Sequence, residues 1–72
     1  MSEIDLHKLS HSVALEKLED FLLIESQTFG FSCKVITGNS KKLQNKIIEN
    51  IIKKYKFNYL IPNTNLGIMI IS

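Results

Sequence analysis

The chain has 72 residues, a net charge of +2 at neutral pH, 44% hydrophobic residues and one cysteine. That length allows a single small domain over residues 1–72, one that buries only about 60–65% of its unfolded surface. The lone Cys33 excludes an internal disulfide scaffold. With a start, MSEIDLHK, that lacks a basic then apolar leader pattern, it fits a reducing, cytoplasmic setting. The apolar runs FLLI (residues 21–24) and IMII (residues 68–71) fall far short of the ~20 residues of a membrane helix.

Charge is unevenly spread. Residues 1–36 carry six acids and three lysines, whereas residues 37–72 carry six lysines and one acid. Such asymmetry fits a basic surface for a polyanion, although lysine is also the ordinary solvating residue of a helix face. All nine basic residues are lysine, so bidentate arginine recognition of phosphate or guanine is absent.

The first element is an alternating stretch, Ile4-Asp5-Leu6-His7, which predicts a short strand with Ile4 and Leu6 on one face and Asp5 and His7 on the other. Ser10 is a good N-cap for a helix whose apolar residues, Ala14, Leu15, Leu18, Phe21 and Leu22, recur at helical spacing. Gly30 is the natural stop for that helix. Residues 31–37 read as a second strand, and Gly38-Asn39-Ser40 as a turn whose Ser40 caps a second helix. Leu43, Ile47, Ile48, Ile51, Ile52 and Tyr55 form its apolar stripe. Residues 56–61 read as a third strand, stopped by Pro62, with turn chemistry through Asn65. Residues 67–71 form a fourth strand that is apolar on both faces.

The order β-α-β-α-β-β predicts an α+β two-layer sandwich. Right-handed crossovers put both helices on one face of a mixed four-stranded sheet. A strand apolar on both sides belongs inside the sheet, which gives the order 1-2-4-3 with the fourth strand antiparallel. Strands one to three then end on one shared rim, where both helices begin. Helix N-termini carry free N–H groups and partial positive charge, and ligands favour that end of such sheets.

Asp5 and His7, about 6.5–7 Å apart by strand rise, could both reach one phosphate. A histidine exchanges protons at neutral pH and an aspartate can hold it. The same two residues are also consistent with an ordinary surface pair in which Asp5 caps a turn. Thr37-Gly38-Asn39-Ser40 joins a strand to a helix and permits close backbone approach. Lys41 and Lys42 follow where positive charge is otherwise unfavourable, an objection that a bound phosphate removes. The plainer alternative is a capped strand–helix turn, and no Walker A pattern is present. Cys33 reads as a small core residue. His11 reads as a solvated residue of the first helical turn. Tyr55, Phe57 and Tyr59 suit either base stacking or the core.

Taken together, these pieces resemble the small MutS-related (Smr) domain over essentially the whole chain. Ile4-Asp5-Leu6-His7 is similar to its LDxH motif, and Leu9-Ser10 with Ala14-Leu15 to its first-helix start. Val35-Ile36-Thr37-Gly38 resembles the strand and turn of its [HT]GxG motif, and Asn65-Leu66-Gly67 its closing hairpin. The resemblance implies a fold similar to the C-terminal domain of translation initiation factor 3. It also implies nucleic-acid binding, with endonuclease activity on DNA or RNA in many members. Asp5 and His7 carry over as catalytic candidates, and Thr37 and Gly38 as part of the binding loop. This chain has Lys8 where the family usually has glycine, Ser40 for the last glycine of the turn, and Asn39 for a frequent basic residue. His11, Ser12 and Val13 stand where acids are common.

The leading expectation is thus a compact endonuclease acting on DNA or RNA. Its candidate residues are Asp5 and His7 for catalysis. Lys8, Thr37, Gly38, Asn39, Ser40, Lys41, Lys42 and Asn65 are candidates to hold the nucleic acid. The alternatives are a binding module without catalysis and a protein-interaction domain that uses a sheet edge or open face. No cofactor is required by these residues. A divalent cation would meet Asp5 together with water.

Overall fold

The computed structural model describes residues 1–72. Four strands form one mixed sheet: β1 (Ser2–Asp5), β2 (Cys33–Ile36), β3 (Tyr59–Leu60) and β4 (Ile68–Ile71), in the order β1-β2-β4-β3. β1 and β2 are parallel, and β4 runs antiparallel to both β2 and β3. The architecture is the α+β sandwich with sheet order 1-2-4-3 that the sequence predicts. No helix is long and apolar enough to cross a membrane.

The first helix, α1 (His11–Glu25), starts where Ser10 accepts from the Val13 N–H at 3.4 Å. It stops five residues before Gly30. The Gln27 and Thr28 amides fall back to carbonyls three residues earlier, Ile24 and Glu25, so the last turn tightens and unwinds. Gly30, at φ +73°, serves the following loop instead.

The second helix begins as α2 (Lys41–Ile47), capped by Ser40 Oγ accepting from Leu43 N–H at 3.1 Å. It widens into a π-helical segment (Ile48–Ile52) and closes with one turn, α3 (Lys53–Tyr55). Lys56 then adopts the left-handed conformation, φ 58° and ψ 40°, and the Phe57 amide donates back to the Ile52 carbonyl at 3.0 Å. That is a helix stop of the kind glycine usually makes. It takes Lys56 out of the predicted third strand. Asn58 exchanges two hydrogen bonds with Ser72, at 2.7 and 3.0 Å, and only Tyr59–Leu60 follow as β3.

The core lies between the sheet and the helices. Leu6, Cys33, Val35, Met69 and Ile71 from the sheet side meet Ala14, Leu18, Leu22, Leu43, Ile47, Ile51 and Ile52 from the helices. Burial pushes the Cys33 thiol up, with Glu25 adding to the effect, so it stays protonated as a small apolar residue. Phe31, Tyr55 and Phe57 pack as neighbouring rings, 5.6 Å between centroids. They lie at the Ile71 end of the sheet, away from the rim, which assigns Tyr55 and Phe57 to packing. Tyr59 remains partly exposed. The opposite sheet face carries half-buried Ile36, Ile68 and Ile70 and a cross-strand pair, Lys34 and Glu3, at 3.8 Å.

Tyr55 and Lys54 tie the second helix to α1. The Tyr55 hydroxyl donates to Glu19 Oε2 at 2.5 Å, and Lys54 Nζ donates to the same oxygen at 3.1 Å. The Tyr55 bond first, and Lys54 second, hold the Glu19 carboxyl below its usual range. A carboxylate so lowered stabilises the fold above its unfolded pKa, about 4.3. That contribution is lost as pH falls through the lowered folded value. Glu19→Gln should therefore flatten the acid limb of stability below about pH 4.3, read by thermal melts across pH. An acid limb identical to wild type would contradict the assignment.

Lys56→Gly should stabilise the chain. Relief of about 1–2 kcal/mol of left-handed strain, less about 0.4–1 kcal/mol of added unfolded-chain entropy, leaves a gain of up to about 1.6 kcal/mol. Urea denaturation measures it; a loss of stability would show that the Lys56 side chain does something the backbone does not reveal.

Candidate functional site

Three chain segments converge at the rim: residues 6–10 after β1, residues 37–40 after β2, and residues 61–67 before β4. Their approach is fixed by backbone bonds. Leu6 N–H donates to the Ile36 carbonyl at 2.8 Å, so the first segment follows β2 for one residue past the strand. Thr37 and Gly38 N–H groups both donate to the Gly67 carbonyl, at 2.9 and 3.0 Å. The third segment is therefore clamped to the second.

A buried polar cluster reinforces that clamp. Gln44 is 6% exposed and Thr37 is 2% exposed. The Gln44 amide nitrogen donates to Thr37 Oγ1 at 2.9 Å and to the Leu66 carbonyl at 2.8 Å. Thr37 Oγ1 is within bonding distance of the Gly38 carbonyl at 2.8 Å and the Gly67 carbonyl at 3.2 Å. Every buried side-chain polar atom in the molecule has a partner. Thr37, a candidate to hold the nucleic acid as part of the binding loop, thus has its hydroxyl turned inward, where it joins Gln44 to the Gly67 segment.

The Asp5–His7 arrangement differs from an extended strand. β1 ends at Asp5, and Asp5 Oδ1 accepts from the His7 backbone N–H at 3.1 Å, which bends the chain. The imidazole swings back so that Nδ1 lies 2.5 Å from the same carboxylate oxygen. The two groups are in direct contact, where strand geometry would hold them about 6.5–7 Å apart. The side-chain bond to His7 first, and the backbone bond second, hold the Asp5 carboxyl below its usual range. An ionised carboxylate only accepts, so Nδ1 carries the proton and neutral His7 presents an unprotonated Nε2. The His7 side chain is 41% exposed, and Nε2 has no protein hydrogen-bond partner.

Gly38 holds the loop against this pair. Its φ is +69°, and a Cβ there would lie 3.2 Å from His7 Cβ. Asn39 and Asn65 flank the buried Gly67: a Cβ on Gly67 would lie 3.3 Å from the side-chain oxygen of each. Asn65 Oδ1 accepts from Gly67 N–H at 3.0 Å and so caps the hairpin turn. Ser40 is committed to its helix cap. The amide of Gly38, a candidate to hold the nucleic acid, is already bonded to the Gly67 carbonyl. The amides of Asn39, Ser40, Lys41 and Lys42 have no protein acceptor.

Three lysines, Lys34, Lys53 and Lys54, are paired with carboxylates. The exposed Lys8, on the first rim segment, and Lys41 and Lys42, which open α2 beside the second, are not. Lys46 reaches His11 Nδ1 at 3.1 Å, joining the second helix to the start of α1. This contact gives His11 a protein partner where solvation is predicted. No three His, Cys, Asp or Glu side chains are grouped closely enough to hold a metal ion between them.

Gln44 and the Lys46–His11 contact escape sequence reasoning. Gln44 had one available signal: it lies three residues before Ile47 and four before Ile48, a polar residue within an apolar stripe. A contact between positions 11 and 46 leaves no such trace.

Gly38→Ala should cost about 1–2 kcal/mol from left-handed strain alone, measured by urea denaturation. It should also move the His7 ring resonances, because the new methyl meets His7 Cβ. A stable variant with unshifted His7 signals would refute the close approach.

Comparison with protein-family models, with curated proteins and with solved structures finds no match to this chain.

Proposed function

We propose that the rim binds nucleic acid and cleaves its phosphodiester backbone, with His7 moving the proton. The observation that carries the reading is the Asp5–His7 pair itself: a partly exposed imidazole oriented by a carboxylate, with its far nitrogen unpaired. A general base needs that arrangement, since the carboxylate fixes the tautomer and stabilises the imidazolium formed. Unpaired Lys8, Lys41 and Lys42 supply attraction for a polyanion. The free amides of Asn39, Ser40 and Lys41 can donate to phosphate oxygens and to charge developing at them. This is the activity that the resemblance to the small MutS-related domain implies, with Asp5 and His7 in its LDxH positions.

A second reading, binding without cleavage, is favoured by one observation. The Gly38 amide is already bonded to the Gly67 carbonyl, so the loop offers one phosphate donor fewer. Cleavage time courses on single-stranded RNA, structured RNA and duplex DNA, with Mg²⁺ or with EDTA, separate the two readings. Wild type should give product. His7→Ala should slow cleavage by about 10²–10⁴-fold while still shifting the substrate in a gel. Binding should weaken steeply with salt. Undiminished cleavage by His7→Ala would overturn the catalytic assignment. Substrate shifted by both proteins without product would establish the binding module.

A further inference from the structure

Across β2 from the Asp5–His7 pair, between the start of the second helix and the β3–β4 hairpin, lies a depression of about 320 Å³ lined by Asn39, Lys41, Gln44, Ile61 and Leu66. Small-molecule pockets run from ~300 to 1,000 Å³, so this one has room for one planar ring system. Its chemistry is specific. The Leu66 carbonyl can only accept, so the Gln44 amide must present nitrogen to it and to Thr37. Both amide hydrogens are thereby used, and Gln44 Oε1 has no protein donor. Since no buried side-chain oxygen is left unpartnered, Oε1 keeps access to solvent. Gln44 lines the depression, and its body is 6% exposed. The depression thus offers one fixed acceptor, the apolar side chains of Ile61 and Leu66, and two groups able to donate, the Asn39 amide and the Lys41 ammonium.

We infer that this depression receives an unstacked nucleobase of a single-stranded segment. This rests on the nucleic-acid reading above and names its substrate class. A base offers a flat apolar face to Ile61 and Leu66 and a polar edge to Gln44 and Asn39. Its phosphate falls toward Lys41, where a cation at a helix start otherwise faces the positive end of the dipole. Duplex cannot enter without first releasing a base.

The test is an NMR titration of the isotope-labelled chain with cytidine 5′-monophosphate, adenosine 5′-monophosphate and ribose 5-phosphate. At least one nucleotide should move the Gln44 side-chain amide and the Ile61 and Leu66 methyl signals. Ribose 5-phosphate should leave all three in place. Leu66→Ser, at a side chain 56% exposed and outside the core, should keep the fold and weaken the nucleotide response at least about fivefold, as loss of a base contact does. Equal shifts from nucleotides and ribose 5-phosphate would overturn the inference, as would an unchanged response in Leu66→Ser. A gel shift with a single-stranded RNA 20-mer runs alongside. RNA bound while Gln44, Ile61 and Leu66 stay silent removes the base site and leaves the nucleic-acid reading. RNA not bound removes both.

Discussion

The rim depends on one buried amide. Gln44 spans from the second helix to the end of β2 and to the β3–β4 hairpin, using both hydrogens on oxygens of those segments. A buried amide is costly when unpaired and stiffening when fully paired. Thr37 passes the connection to Gly67, whose carbonyl also takes the Thr37 and Gly38 amides. The loop that abuts His7 is thus held from below. In a domain this small, with a modest core, such fixation has to come from a few well-placed bonds.

Asp5 has two duties at the opposite side of the same rim. One carboxylate oxygen turns the chain after β1 and also orients the imidazole. The geometry that ends the strand is therefore the geometry that orients the imidazole, and Gly38 closes against it. The lysines follow a related division. Lys34, Lys53 and Lys54 are neutralised by Glu3, Glu49 and Glu19, whereas Lys8, Lys41 and Lys42 at the rim have no carboxylate partner.

Topology was legible because it follows from pattern. Two β-α-β crossovers and a last strand apolar on both faces admit few sheets, and the observed order is the one they select. Ends of elements were less legible because local bonds decide them. Asp5 stops β1 through a side-chain bond that alternation does not register. α1 unwinds at Gln27 and Thr28, short of the glycine that would ordinarily mark its end. Lys56 takes a left-handed conformation that its residue type disfavours and shortens β3. At the site, Asp5, His7 and Gly38 were placed on one rim in advance, but the direct Asp5–His7 contact was not. The Ser40 cap was foreseen, whereas the Thr37 hydroxyl is turned inward and Gln44 was hidden within the apolar stripe.

The most direct test of this account is amide hydrogen exchange of Gln44→Leu against wild type. If the Gln44 amide locks the rim, the Thr37 and Gly38 amides, both bonded to Gly67, should lose protection selectively. The Asn58 and Ser72 amides, paired at the far end of the sheet, should keep theirs. Unchanged protection at Thr37 and Gly38, or an equal loss at both ends of the sheet, would contradict the claim that this one side chain organises the site.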